Sequence, residues 1–206
     1  MNHILQPAIR PLRLIFWGAL LCILDFHFSS TTNGSGFKLD ILSDFVGIVM
    51  ISIGVFRLKE VPCNDTYKLL MHCIIVVCLL QGLNAVDGHF IYKRPSLLLF
   101  LEQLLGLITM IAITAFSLCM YWLAKFHELP RSRQSWFKTT VLFFCLYLIP
   151  LGLFYLASCF ASISSNSFHL NLGIFGILLI PVFLIPPIHL FISTSRMQKE
   201  ISSLES

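Results

Sequence analysis

Charge is scarce in this chain of 206 residues, of which only 12% are charged while 57% are hydrophobic. Soluble globular proteins carry about 25% charged residues, because their surface must be hydrated. The deficit excludes an ordinary soluble fold and leaves few residues for any soluble domain. The net charge of +4 comes without a basic run or stripe, so we expect no nucleic-acid partner.

Sequence motifs for catalysis and for metal binding are also missing. The chain has no nucleophile elbow, no P-loop and no HExxH motif, and none of its seven cysteines forms a CxxC pair. Cysteines inside apolar stretches usually pack as small apolar side chains. We therefore predict neither an enzyme nor a bound metal or cofactor.

What the chain does have is six long apolar stretches. Each is about twenty residues long, the length with which a helix crosses roughly 30 Å of hydrocarbon. We predict an all-α integral membrane protein, a bundle of six transmembrane helices that forms a single domain over residues 1–206. Turn-favouring residues separate the stretches, among them the segment 31–36 and Pro62, Pro95 and Pro130. The predicted spans are residues 12–28, 39–58, 67–86, 97–123, 139–161 and 170–192.

Lysine and arginine residues set the predicted orientation. Eleven of the fourteen lie beside one set of span ends and only Lys38, Lys93 and Arg94 lie beside the other. The positive-inside rule then places both termini in the cytoplasm. Three tryptophans fall near the same cytoplasmic boundary, where an amphipathic ring prefers the headgroup layer: Trp17, Trp122 and Trp136.

The N-terminal quarter of the chain resembles a known group of sequences. It contains Leu24-Asp25-Phe26, then a glycine-bearing loop, the segment 37–47 with the sequence FKLDILSDFVG, and the segment 54–58 with the sequence GVFRL. These residues resemble the "LDF…DxLPDFIG…GLxRL" pattern of uncharacterised bacterial polytopic membrane proteins, with Ser43 where the pattern has proline. The resemblance implies a bacterial cytoplasmic (inner) membrane and carries no activity or substrate.

Ionisable residues inside a span are costly, so they are candidates for function. We predict that four carboxylates share one depth near the external face, each on a different helix. Span three adds a polar edge, because polar residues recur at every third position towards its external end. The candidate layer consists of Asp25, Asp44, Asp87 and Glu102, with Gln81 and Asn84 on the polar edge.

Two interpretations of this layer stay open. Carboxylates from several helices suit a hard cation, and neighbouring carboxylates raise one another's proton affinity, as in a transport site. Alternatively, the acids pair with basic residues near the same face. Asp44 shares a predicted helix face with Asp40, Gly47, Ile51 and Gly54, and glycines on such a face let another helix approach closely. Glu102, Gly106 and Thr109 share a face of span four.

Prolines and glycine interrupt the last two spans. Pro150 and Gly152 lie near the middle of span five, and Pro181 near the middle of span six, followed by Pro186 and Pro187. Proline removes a helix hydrogen bond and frees a carbonyl oxygen. Paired breaks in mid-membrane are how many transporters build a substrate site. The alternative is a pair of kinked helices whose freed groups are satisfied by neighbouring helices.

The predicted cytoplasmic loop 125–138 is basic, and we expect it to rest on anionic headgroups of the lipid bilayer. It could also serve a homo-oligomer or a protein partner. Near the cytoplasmic ends of their spans lie His72 and His189, which could pair as haem ligands, although lone histidines there are usually interfacial. Two functions follow from the sequence: a small cation- or proton-coupled transporter, or a non-transporting membrane scaffold or accessory subunit.

Overall fold

The computed structural model describes residues 5–23, 27–32, 35–40, 44–91, 95–163 and 173–204. Three helices in this part of the chain are long and apolar enough to cross a membrane, which indicates integration into one: Asp65–Asp87, Ser96–Phe126 and the helical run Pro130–Phe160. The helical membrane class is therefore confirmed. The bundle of six spans and the orientation of its termini stay predictions.

Helices dominate the described residues, and a small sheet accompanies them. The chain divides into two compact units, Met1–Pro95 with Leu204–Ser206, and Ser96–Ser203. The first unit contains α1 (Gln6–Ile23), β1 (His27–Thr32), β2 (Ser35–Asp40), α2 (Asp44–Leu58), α3 (Asp65–Asp87) and β3 (Phe90–Ile91). The second contains α4 (Ser96–Phe126), α5 (Pro130–Phe143), a π-helical turn (Phe144–Leu148), α6 (Ile149–Ile163) and α7 (Gly173–Ser203).

Helices α1 and α2 approach each other through glycines. A Cβ atom added at Gly18 would lie 2.6 Å from the carbonyl oxygen of Gly47, and one at Gly54 would lie 2.8 Å from that of Pro11. Real Cβ atoms do not come this close to a backbone oxygen. The prediction that Gly47 and Gly54 admit a neighbouring helix is confirmed, and that helix is α1.

The first unit contains a three-stranded antiparallel sheet that was not predicted from the sequence. β1 pairs with β2 from His27↔Asp40 to Thr32↔Ser35, and β2 pairs with β3 through Phe37↔Phe90. The predicted spans 12–28 and 39–58 are therefore wrong where they reach residues 27–28 and 39–40. Asp40 lies in a strand and shares no helix face with Asp44, which is the first residue of α2 rather than one turn inside a span.

The sequence did contain a signal for this hairpin. Two residues, Asn33 and Gly34, separate the paired positions Thr32 and Ser35. Asn-Gly between two strand-forming segments is the strongest short-range hairpin signal. The apolar residues Phe28 and Leu39 favoured the longer helical spans, because hydropathy over a long window does not separate a short strand from a helix end.

The connection between α2 and α3 is short and hydrogen-bonded. The Tyr67 hydroxyl donates to the carbonyl of Leu58 at 2.7 Å, and the Asn64 side chain accepts from the Tyr67 backbone N–H at 2.7 Å. Tyr67 is completely buried. Because α2 and α3 are joined by this tight turn, Asp44 at the start of α2 and Asp87 at the end of α3 lie at the same end of the helix pair.

Helices α4 and α5 meet at a turn of three residues, which overturns the predicted loop 125–138. Helix α4 continues to Phe126 and α5 begins at Pro130, so most of the predicted loop is helical. Proline is favoured in the first helical turn, because its missing N–H would have no intrahelical acceptor there. Trp136 is correspondingly buried, with its ring edge-on to Phe116 at a centroid distance of 6.0 Å, and does not face the headgroup layer.

Candidate functional site

Hydroxyl side chains form a polar seam between α5 and α7. We define the polar seam as Ser135, Thr139, His189 and Ser193. The Ser193 hydroxyl lies 2.7 Å from the Ser135 hydroxyl and 2.7 Å from the Thr139 hydroxyl. Nδ1 of His189 lies 2.8 Å from the Thr139 hydroxyl. The three hydroxyl residues are completely buried, so each is satisfied by its neighbour in the seam.

Helical spacing on both partners places these side chains together. Ser135 and Thr139 are four residues apart on α5, and His189 and Ser193 are four residues apart on α7. Thr139 also donates to the carbonyl of Ser135 at 3.1 Å. The polar stripes are visible in the sequence, but the stripe on α5 was not predicted, because Ser135 was assigned to a loop.

The seam resembles a Ser–His arrangement, yet its geometry does not favour nucleophilic catalysis. Ser193 lies 3.3 Å from Nδ1 of His189 on the same helix, but its side chain has no exposed surface through which a substrate could reach it. A nucleophile must be within reach of its substrate as well as of its base. The contacts instead hold two helices together.

Seven residues beyond Ser193, Glu200 of α7 caps the N-terminus of α5. Its carboxylate accepts the backbone N–H of Arg131 at 3.1 Å and that of Ser132 at 2.7 Å, and also the Ser132 hydroxyl. Leu129, at the N-cap position, offers no side-chain cap. The first N–H groups of a helix have no intrahelical acceptor and carry partial positive charge, so a carboxylate there is stabilising. Glu200 thus performs the task of an N-cap from a different helix.

A π-helical turn precedes Pro150. The backbone N–H of Ile149 donates to the carbonyl of Phe144, five residues earlier, in the wider turn Phe144–Leu148. Such a turn gives room to a proline ring, which would otherwise clash with the carbonyl four residues before it. The predicted break at Pro150 and Gly152 is therefore a widened turn in a continuing helix.

Helix α7 also continues through its prolines. Pro181, Pro186 and Pro187 all lie inside the α-helix Gly173–Ser203, so the backbone is not unwound there. Because Pro187 lacks an N–H, the carbonyl of Phe183 has no intrahelical donor four residues later. The Tyr147 hydroxyl, in the π-helical turn, donates to that carbonyl at 2.7 Å. The carbonyl that Pro187 frees is thus already bonded to a protein group.

The structure distributes the predicted acidic layer over two units. Asp25 lies outside the described residues, Asp44 and Asp87 belong to the first unit, and Glu102 lies on α4 in the second. Asp44, Asp87 and Glu102 all have interaction partners. Within the described ranges, no group of three or more His, Cys, Asp or Glu side chains is placed to hold a metal ion.

The remaining candidates occupy ordinary helical positions. Gln81 and Asn84 are half-buried on α3, and the carbonyl of Asn84 accepts the backbone N–H of Gly88 at 2.9 Å in the helix C-cap. On α4, a Cβ atom added at Gly106 would lie 2.6 Å from the Tyr155 ring, so this glycine admits α6. His72 directs Nδ1 to the carbonyl of Lys68 at 2.7 Å within its own helix.

Comparison with known proteins gives no further constraint. No protein-family model, no curated protein and no solved structure matches this chain.

Proposed function

We propose that this protein is a non-transporting component of a membrane, a scaffold or accessory subunit, in which polar side chains hold helices together. The observation that carries the proposal is the hydrogen bond from Tyr147 to the carbonyl of Phe183. A transporter that used the proline-rich helices as a substrate site would direct freed carbonyls towards a substrate or ion. Here the carbonyl freed by Pro187 is bonded to the neighbouring helix instead.

The polar seam supports the same proposal. Ser135, Thr139 and Ser193 are buried and bonded to one another, so none of them lines a path for water or ions. Hydrogen bonds between membrane helices typically contribute about 0.6 kcal/mol each, and up to about 2 kcal/mol. Several in one interface fix the relative position of α5 and α7, as a rigid scaffold requires.

The finer topology belongs to the proposal as well. We infer six spans with both termini in the cytoplasm, in a bacterial inner membrane. Support comes from the six helical runs in the described part of the chain, each of which overlaps one predicted apolar span, and from the distribution of lysine and arginine. A protein of this kind acts through other proteins or through copies of itself, so a homo-oligomer or a protein partner is part of the proposal.

Ion flux into proteoliposomes tests the proposal. The full chain is reconstituted into sealed vesicles, and gradients of H⁺, Na⁺, K⁺, Mg²⁺ and Ca²⁺ are imposed in turn. We expect flux equal to that of protein-free vesicles, with an ionophore added at the end to show that each gradient was intact. Flux that requires the wild-type protein and disappears in Asp44→Asn would instead establish a transporter with a functional acidic layer.

A further inference from the structure

A basic cleft lies on the surface of the second unit, beside the cap formed by Glu200. The cleft has a volume of about 650 Å³ and is lined by one face of α7 together with the first turn of α5. Ile192, Arg196 and Lys199 follow one another on α7 at intervals of four and three residues, so they share a helix face. Arg131 contributes a third basic side chain from α5.

Polarity changes along this cleft in one direction. Phe191 and Ile192 form its apolar end, at the predicted membrane boundary of span six, and Ile192 is 46% exposed. Arg196 and Lys199 are exposed and lie four and seven residues beyond Ile192, which is roughly 6 and 10 Å along the helix axis. With span six placed as predicted, the apolar surface adjoins hydrocarbon and the positive charges lie at the depth of headgroups.

The carboxylate in the cleft does not cancel this charge. Glu200 lines the cleft, but its oxygens accept hydrogen bonds from the N-terminus of α5 and from the Ser132 hydroxyl. The partial positive charge of that helix end offsets much of the carboxylate. An anion in the cleft would therefore meet three basic side chains and a single carboxylate whose oxygens already accept hydrogen bonds. Ser195 adds a hydroxyl to the lining.

We propose that this cleft binds the phosphate of an anionic phospholipid headgroup, with Phe191 and Ile192 against the upper part of its acyl chains. The arginines and the lysine supply charge-assisted hydrogen bonds to phosphate oxygens. The apolar end distinguishes a lipid from inorganic phosphate, which shares the same charge chemistry. Binding of this lipid rests on the proposed position of span six in the membrane and does not depend on whether the protein transports ions.

Competition binding tests the site. The purified full chain in a neutral detergent is titrated with fluorescent phosphatidylglycerol, and the bound lipid is displaced by unlabelled phosphatidylglycerol, by phosphatidylcholine of the same chain length or by inorganic phosphate. The test variant is Arg196→Gln with Lys199→Gln. The matched control is Lys125→Gln with Arg133→Gln, which removes two exposed charges outside the cleft from the same unit.

We expect the cleft variant to bind phosphatidylglycerol roughly 30-fold more weakly, since each basic residue near an anionic lipid surface contributes a factor of about five. The control should change binding by less than about threefold, because exposed charges at a distance are screened by salt. Phosphatidylcholine and inorganic phosphate should compete poorly.

Three results would overturn the proposal. Unchanged binding in the cleft variant would show that the lipid binds elsewhere. An equal loss in the control would show attraction by diffuse surface charge rather than by a site. Inorganic phosphate that competes as well as phosphatidylglycerol would identify a soluble phosphate compound as the ligand and exclude the lipid.

Discussion

Glu200 shows how one side chain can stabilise the start of a helix to which it does not belong. Its carboxylate accepts two backbone N–H groups of α5, at a helix end where the N-cap residue Leu129 has no side-chain acceptor. The contact also holds the last turns of α7 against α5. A single residue therefore links the stability of one helix to the position of another.

Replacing Glu200 with alanine should lower the free energy of unfolding by about 1–2 kcal/mol, the usual effect of losing an N-cap. Glu200→Gln should be less harmful, because its amide oxygen still accepts one N–H. Thermal unfolding in detergent measures both. The control Glu60→Ala removes an exposed carboxylate and should change stability by less than about 0.5 kcal/mol. Equal effects at Glu200 and Glu60 would contradict the capping role.

At the scale of elements, close contact between α1 and α2 depends on the absence of side chains. A Cβ atom at Gly47 would lie 2.6 Å from Sγ of Cys22 and 2.7 Å from the carbonyl of Gly18. The latter is backbone and cannot turn away, so the helices would have to separate. By contrast, the nearest atom to a Cβ at Gly82 is Cγ2 of Ile48 at 3.7 Å, an ordinary contact.

Gly47→Ala should therefore destabilise the protein by about 1–3 kcal/mol, as overpacking typically does. Gly82→Ala is the matched control in a helix of the same unit. It should be neutral or stabilising by up to about 1 kcal/mol, because alanine is the better helix former. Unfolding midpoints of the two variants give the comparison, and a Gly47→Ala protein as stable as Gly82→Ala would show that α1 and α2 do not pack as described.

The prolines of α7 and the π-helical turn form a second element-scale arrangement. Tyr147→Phe removes the donor to the carbonyl of Phe183 and should destabilise the protein by about 1–3 kcal/mol, the effect of leaving a buried acceptor unsatisfied. Pro187→Ala restores an N–H that can reach the same carbonyl. In that background Tyr147→Phe should cost less than about 1 kcal/mol.

A double-mutant cycle on unfolding free energies measures this coupling. Tyr155→Phe is the control, since it also removes a phenolic hydroxyl but leaves the ring that packs over Gly106. Tyr155→Phe should change the free energy of unfolding only slightly, and by the same amount in the wild-type and Pro187→Ala backgrounds. If Tyr147→Phe were equally destabilising in both backgrounds, the hydroxyl would not be compensating for the proline.

At the scale of the whole molecule, hydropathy predicted the helical class but not where every helix ends. Apolar length identified α3 and α4, whose sequences have no competing signal. Apolar length did not place the ends of the first two helices correctly near His27 and Asp40, because short strands contain the same apolar residues as a helix end. The polar seam was missed at Ser135 for a different reason: α5 already begins at Pro130, and the carboxylate that caps it, Glu200, lies far along the chain, where no local pattern reveals it.

The proposed topology places both termini in the cytoplasm. A C-terminal fluorescent protein that matures only in the cytoplasm should therefore be bright in a bacterial host, and a phosphatase that folds only outside should be inactive at the same position. The same reporters fused after residue 40 should give the opposite pattern. Active phosphatase at the C-terminus would exclude an even number of spans with a cytoplasmic N-terminus.

We propose that the polar groups stabilise the helix packing and do not bind an ion. Thermal unfolding of the purified protein in Na⁺, K⁺, Mg²⁺ and Ca²⁺, repeated with Asp44→Asn and Glu102→Gln, tests it most directly, because a ligand that binds only the folded state raises the unfolding midpoint with its concentration. We predict that a destabilised variant has a lower unfolding midpoint. No cation should specifically raise the midpoint of the wild type or of either variant. A saturable increase with one cation that both variants abolish would contradict the claim.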